Sequence, residues 1–328
     1  MVIEIKPDLF EDEIFYTDLR YLIQLCTYEY RYDFHIEFDI VKQTNAFKNL
    51  DNDQQQVIEE FYNRSITQSW KFTHKVSESN DQSYSIKEAI KFLEQPFLIF
   101  LENSLTDGYF MDCIREHFKK HCKKLNRHKE NVWLEYSMGG GSTINKAIEA
   151  KLKPFENLSK PNYKYLRCYV LLDSDRSYPT QPYKTELVNL ISFLKHNEIP
   201  HHILEKREME NYLPDVVFDE IEDNKAFVEA FRRLSPKQKD FFDLEKGFSN
   251  NNFDDLLNEI KSLYNNIDVD DKKTFRKGGI QLNGNFKSEF PKFFKSELIT
   301  RENLLERCEY QLNSNELPDL LKKINELL

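Results

Sequence analysis

Between residues 96 and 204 the chain alternates short, unbroken apolar runs with longer stretches of helical period. Pro96-Phe97-Leu98-Ile99-Phe100-Leu101, Val132-Trp133-Leu134-Glu135-Tyr136, residues 168–172 and His201-His202-Ile203-Leu204 read as four strands. The first and third are apolar at every position, as in parallel strands covered on both faces. Helical periodicity spans residues 107–124 and 186–196, and a further helix opens at Ser142 or Thr143, either of which suits an N-cap. Strands and helices alternating at this spacing predict right-handed crossovers and a parallel sheet.

The flanks have other patterns. Residues 12–32 are aromatic-rich and helical in period, residues 34–40 alternate as a strand would, and residues 53–63 form a further helix. The polar, turn-rich residues 77–85 mark a boundary. After Pro214 the stronger segments, residues 218–234, 253–264 and 302–328, are helical. The expected organisation is an N-terminal α+β unit (1–92), an α/β unit with a parallel sheet (93–215) and a mainly helical C-terminal region (216–328).

Composition adds limits. A hydrophobic content of 40% with 31% charged residues suits a folded, water-exposed chain rather than a disordered one. The opening residues are acidic, with no basic segment leading into an apolar core, and no apolar run approaches a membrane span, so a cytoplasmic protein without membrane contact is expected. The five cysteines form no Cys-x-x-Cys pair and are odd in number, which speaks against a disulfide framework or a zinc ribbon. A net charge of −10 excludes nucleic-acid binding over the whole surface, so any basic footprint is local.

The candidate chemistry lies at strand ends. Glu102 ends the first apolar run, Asp173-Ser174-Asp175 ends the third, and Lys206-Arg207-Glu208-Met209-Glu210-Asn211-Tyr212-Leu213 follows the fourth. Open α/β sheets bind ligands beyond the carboxyl ends of their strands. Several carboxylates gathered there repel one another and raise each other's pKa unless a cation compensates. One or two Mg²⁺ or Mn²⁺ ions, which take oxygen ligands, would polarise a phosphodiester and activate water.

This order of Glu102, a glycine turn, Asp173-x-Asp175 and Lys206 to Leu213 resembles the Toprim domain, and more narrowly nucleases of the OLD (overcoming lysogenization defect) family. The resemblance covers residues 93 to 215. It implies a Rossmann-like sheet and a divalent-metal-dependent endonuclease acting on DNA or RNA. It also implies a working partnership with an ABC-type ATPase in defence against phage. Carried over, Glu102 is a metal ligand or general acid/base. Asp173 and Asp175 are ligands, Glu210 and Glu208 further ligands, and Lys206 or Arg207 stabilises phosphate charge. Asn103 stands where the family commonly has Gly, and the next acid, Asp107, lies five residues after Glu102 rather than four; it is either a ligand or a helix N-terminal acid. The alternative is an inactive Toprim-like module that binds and regulates an ATPase. The chain is short for a topoisomerase and lacks the cysteine spacing of a primase or recombination mediator.

Other features admit a functional and a plain reading. Gly139 to Gly141 with Ser142 and Thr143 is a tight turn or a phosphate cradle at a helix start; no Gly-Lys-Ser/Thr follows, so it is not a Walker loop. The cations between Arg115 and Lys129, with Lys119, Lys123 and Arg127 foremost, are a solvated face or a nucleic-acid footprint. So is the stretch carrying Lys273, Arg276 and Lys277, whose Phe275, Phe286, Phe290, Phe293 and Phe294 either stack on bases or fill a core. His117 and His121 join the basic face, and His201 and His202 are expected in the core or behind a metal. Self-association is compatible with the sequence and undetermined by it.

Overall fold

The computed structural model describes residues 1–67, 74–80, 82–140, 143–222, 224–282 and 284–328. Two parallel sheets organise the chain. The first has β1 (Val2–Ile5) between β2 (Asp33–Ile36) and β3 (His74–Val76). The second contains β4 (Phe97–Leu101), β5 (Leu134–Met138), β6 (Cys168–Leu172) and β7 (His201–Ile203), in the order β5-β4-β6-β7. The α/β expectation with a parallel sheet therefore holds, with a second parallel sheet in the N-terminal unit.

Every residue of β4 and β6 is buried because both faces of the sheet are covered. Phe97, Ile99, Leu101, Tyr169 and Leu171 face one side, where they share a core with Phe110, Ile114, Tyr212 and the C-terminal residues through Leu328. Leu98, Phe100, Cys168, Val170 and Leu172 face the other, against Ile144, Ile148, Leu152 and Leu194. Each such fully buried side chain stabilises the fold by roughly 1.5–3 kcal/mol. The core does not break at residue 215: the region after Pro214 is one of the layers covering the sheet. All five cysteines are buried and unpaired.

The N-terminal unit packs against the amino edge of the second sheet. Arg167, immediately before β6, is buried and donates to the Tyr32 hydroxyl and to the carbonyl of Gln95, which closely precedes β4. Lys124 pairs with Asp33 at 3.1 Å, and Arg127 donates to the Tyr30 carbonyl at 2.8 Å. A five-residue strand spans roughly 17 Å, so these contacts stand a strand's length from the carboxyl edge.

Several boundaries differ from the sequence pattern. The strand at residues 34–40 stops at Ile36, and Phe38–Val41 is a helical turn that buries Val41 and exposes Ile40. The helix expected over 107–124 is Thr106–His117, followed after buried Phe118 by a 3₁₀ turn, Lys119–His121, and a second helix, Lys123–Glu130. The 218–234 segment is a 3₁₀ stretch, Asp215–Glu220, and a helix, Lys225–Arg233, which starts after left-handed Asn224. Residues 302–328 divide into Arg301–Cys308 and Glu316–Leu327. Among the described residues no helix is long and apolar enough to cross a membrane.

Candidate active site at the carboxyl edge of the second sheet

Chain order in the second sheet reverses between β4 and β6: the chain steps from β4 outward to β5, then returns to the other side of β4 to lay down β6 and β7. Crossovers on opposite faces leave a crevice at such a point, beyond the carboxyl ends of the two strands. Glu102 follows β4 and Asp173 follows β6, so both acids stand at that crevice.

The Asp173-Ser174-Asp175 segment is fastened to residues 205–209. The Asp173 carboxylate accepts the Met209 N–H at 3.1 Å, the Ser174 hydroxyl donates to the Lys206 carbonyl at 2.6 Å, and the Asp175 N–H donates to the Arg207 carbonyl at 2.9 Å. Asp175 has φ 54°, in the left-handed region that Asp tolerates better than most residues. Behind this segment, Glu316 accepts from the Glu205 N–H at 2.9 Å, from Tyr212 and from His202. His202 is thus a buttress and not part of the acid cluster, and His201 turns to the Ile199 carbonyl.

Electrostatics sets these acids apart. Asp173 is held well above the ordinary carboxylate range, first by burial and then by the charges of Glu210, Asp107, Glu208 and Glu102. Burial and the neighbouring Glu208 push Glu210 up to about 8. Glu208 is raised to about 7 by burial, against the pull of Arg207. Asp107 reaches about 6 through burial, with Glu102 adding to it. Each of the four keeps some solvent-facing surface while lying deep among protein atoms. Their charges are therefore accessible yet poorly solvated.

Asp107 sits at the start of its helix and close to the other acids. Its carboxylate accepts the Asn103 N–H at 2.8 Å, while the Asn103 side chain accepts from the N–H groups of Leu105 and Thr106, so the pair closes the start of the helix. Asn103 thus supplies a cap, and Asp107 still lies within reach of the Asp173 field.

Lys206 does not stand where the resemblance puts it. Its side chain is wholly buried, paired with Asp240, and its ammonium donates to the Arg307 carbonyl at 2.6 Å. Burial and the Arg307 charge lower it to about 8. These partners take its ammonium up inside the protein, so it holds the motif rather than a phosphate. Arg207 donates to Asp243 at 2.7 Å and lies 3.4 Å from Glu208.

Two cations emerge that the pattern did not single out. Lys184 pairs with Asp175 at 2.8 Å. Lys287 loses some hydration to burial, but Glu102, Glu245, Glu208 and Glu210 outweigh this and hold its ammonium above the ordinary value. Its presence in the basic stretch was the only signal in the sequence, and nothing local distinguishes it from its neighbours.

The cations expected to meet nucleic acid divide by position. The helix Thr106–His117 starts at the carboxyl edge and runs back about 18 Å, which carries Lys119 and Lys123 to the far edge, where Lys119 pairs with Glu116 and Arg127 joins the N-terminal unit. That run is not beside the acids. Lys273 pairs with Asp270, and Arg276 and Lys277 are exposed. Their segment is hydrogen-bonded to the loop after Asp243, near Arg207. Phe275, Phe286, Phe290 and Phe294 are buried core, so base stacking by them is excluded. The N–H groups of Gly139 and Gly140 bond to the carbonyls of Leu101 and Glu102 and are not free to cradle phosphate. Thr143 donates to the Gly139 carbonyl instead of capping its helix, and Gly141 and Ser142 lie outside the described residues.

A cleft of about 510 Å³ opens at the same edge. Its lining combines Glu102, Asp173, Asp175, Lys184 and Glu186 with apolar Ile144, Leu172, Leu187, Leu190 and Phe193. As a donor set the acids fit a hard divalent cation: all are oxygen ligands, and the burial and mutual repulsion that raise Asp173 and Glu210 are what a cation would relieve. Among the described residues no three His, Cys, Asp or Glu side chains form a ready-made metal group. Comparison with protein-family models, with curated proteins and with solved structures returns no match.

Proposed function

We propose that the chain is a divalent-metal-dependent phosphodiesterase of Toprim type, similar to the OLD branch, that cleaves nucleic acid. The observation that carries this reading is the set of mutually repelling acids, Asp173, Glu210, Glu208, Asp107 and Glu102, at the switch point of a parallel sheet. Asp173, Asp175, Glu210 and Glu208 would hold Mg²⁺ or Mn²⁺, with Asp107 as a further donor. Bound there, such an ion supplies Lewis-acid polarisation of a phosphodiester and a more acidic water. Exposed Glu102 stands at the cleft as the general acid/base, and Lys287 and Lys184 balance phosphate charge. The ABC-type ATPase partner and the defence role belong to the same proposal.

A second reading, an inactive module that regulates an ATPase, is favoured by the lack of a ready-made metal group among the described residues. Cleavage assays on supercoiled plasmid, single-stranded DNA and tRNA with Mg²⁺ or Mn²⁺ separate the two. Metal-dependent cleavage abolished in Asp173→Ala supports the enzyme. No cleavage of any substrate with either metal, the partner ATPase included, refutes it.

A further inference from the structure

Phosphodiester chemistry needs charge and oxygen ligands, yet part of the cleft lining, Ile144, Leu172, Leu187, Leu190 and Phe193, is an apolar wall. On the helix Thr185–His196, Leu187, Leu190 and Phe193 recur at spacings of three and lie only half buried, turned toward Ile144 on the neighbouring helix. We propose that this wall is a nucleobase pocket, so that the nucleotide presented to the acids is an unpaired one in single-stranded nucleic acid. The proposal rests on the phosphodiesterase reading and names its substrate class.

Three observations support it. Leu172, the last residue of β6, belongs to the apolar wall, and the next residue, Asp173, belongs to the acid cluster. A base seated on the wall therefore brings its own phosphate over the acids. The volume of about 510 Å³ suits one small ligand. A paired base is hidden in its stack and has to be extruded to enter such a slot, whereas an unpaired base enters freely. The ring of Phe193 offers a stacking face, and the amides of Asn145 and Asn189 at the lining can meet the donors and acceptors of a base edge.

The test uses the full chain. Binding of a single-stranded pentanucleotide containing 2-aminopurine is followed by fluorescence with Mn²⁺ in a Glu210→Gln background, which keeps the strand intact. The same strand in a duplex is the comparison, and cleavage by the wild type is measured on both. The expected result is quenching with the single strand and little with the duplex, with affinity lowered about tenfold by Phe193→Ala. Asn189→Trp, at an exposed position, fills the slot and gives the same loss where Phe193→Ala fails to fold. Equal affinity for single strand and duplex, or unchanged affinity in both cleft variants, overturns the pocket. If cleavage proceeds while the cleft variants leave the single-strand to duplex preference unchanged, the pocket falls and the nuclease stands. If nothing is cut while the single strand still binds through Phe193, the pocket stands and the nuclease falls.

Discussion

Replacing Glu210 by Gln should make the protein more stable at pH 8, although it removes a side chain from the heart of the site. The Glu210 carboxyl titrates near 8 in the folded chain, against an ordinary value of 4.5. The folded state holds the proton more tightly than the unfolded chain. Its stabilising contribution is therefore complete below about pH 4.5 and is lost as pH rises through 8. At roughly 1.4 kcal/mol per pKa unit the shift sets a ceiling of about 5 kcal/mol. Relaxation of a group that keeps some solvent contact brings the expected gain of Glu210→Gln to about 2 kcal/mol. For a chain of this size that is about 4 °C in Tm. Thermal denaturation followed by circular dichroism at pH 5 and pH 8 reads it: the two proteins should melt nearly together at pH 5, and the variant should melt higher at pH 8. Adding Mn²⁺ at pH 8 should stabilise the wild type, by about 2.7 kcal/mol at a hundredfold excess over Kd, and the variant much less. A variant that melts at or below the wild type at pH 8 would refute the account of Glu210 as an electrostatically strained acid.

Further outcomes follow from the same geometry. Mn²⁺ affinity, measured by calorimetry, should rise between pH 6 and pH 8 as Glu208 and Glu210 give up their protons to bind; a flat profile would contradict the assigned ligands. Lys206→Met should cost about 3–5 kcal/mol in a denaturant titration by leaving Asp240 buried with Arg307 alone, and Lys206→Met with Asp240→Leu should recover part of it. Lys287→Ala should lower kcat/KM on oligonucleotides about tenfold and flatten its salt dependence. Lys119→Glu with Lys123→Glu should leave it within twofold, a margin on the order of 0.4 kcal/mol, because both residues lie at the far edge of the sheet.

The strands that position the site were legible because a sheet covered on both faces demands unbroken apolar runs: residues 168–172 were read as a strand and form β6 without shift. The acids at their ends could be named from position alone, since a strand's carboxyl end is fixed once its run is known. What local pattern could not supply was direction in three dimensions. Lys206 and Arg207 are adjacent cations in the sequence, yet one is wholly buried against Asp240 and the other reaches Asp243 and Glu208. Phe275, Phe286, Phe290 and Phe294 have the composition of a stacking surface, and only long-range packing makes them core.

By itself, then, the order of residues determined the strands of the second sheet, with β5 two residues later than its apolar run, their parallel arrangement and the acids delivered to its rim, because period and run length are local properties. Tertiary structure decided which strands flank the crevice, that Asn103 and Asp107 cap one another, that Lys287 arrives from 185 residues beyond Glu102 to face it, and that the basic run after Arg115 is carried to the far edge. Those facts depend on crossover direction, helix length and burial, which arise only when distant segments meet.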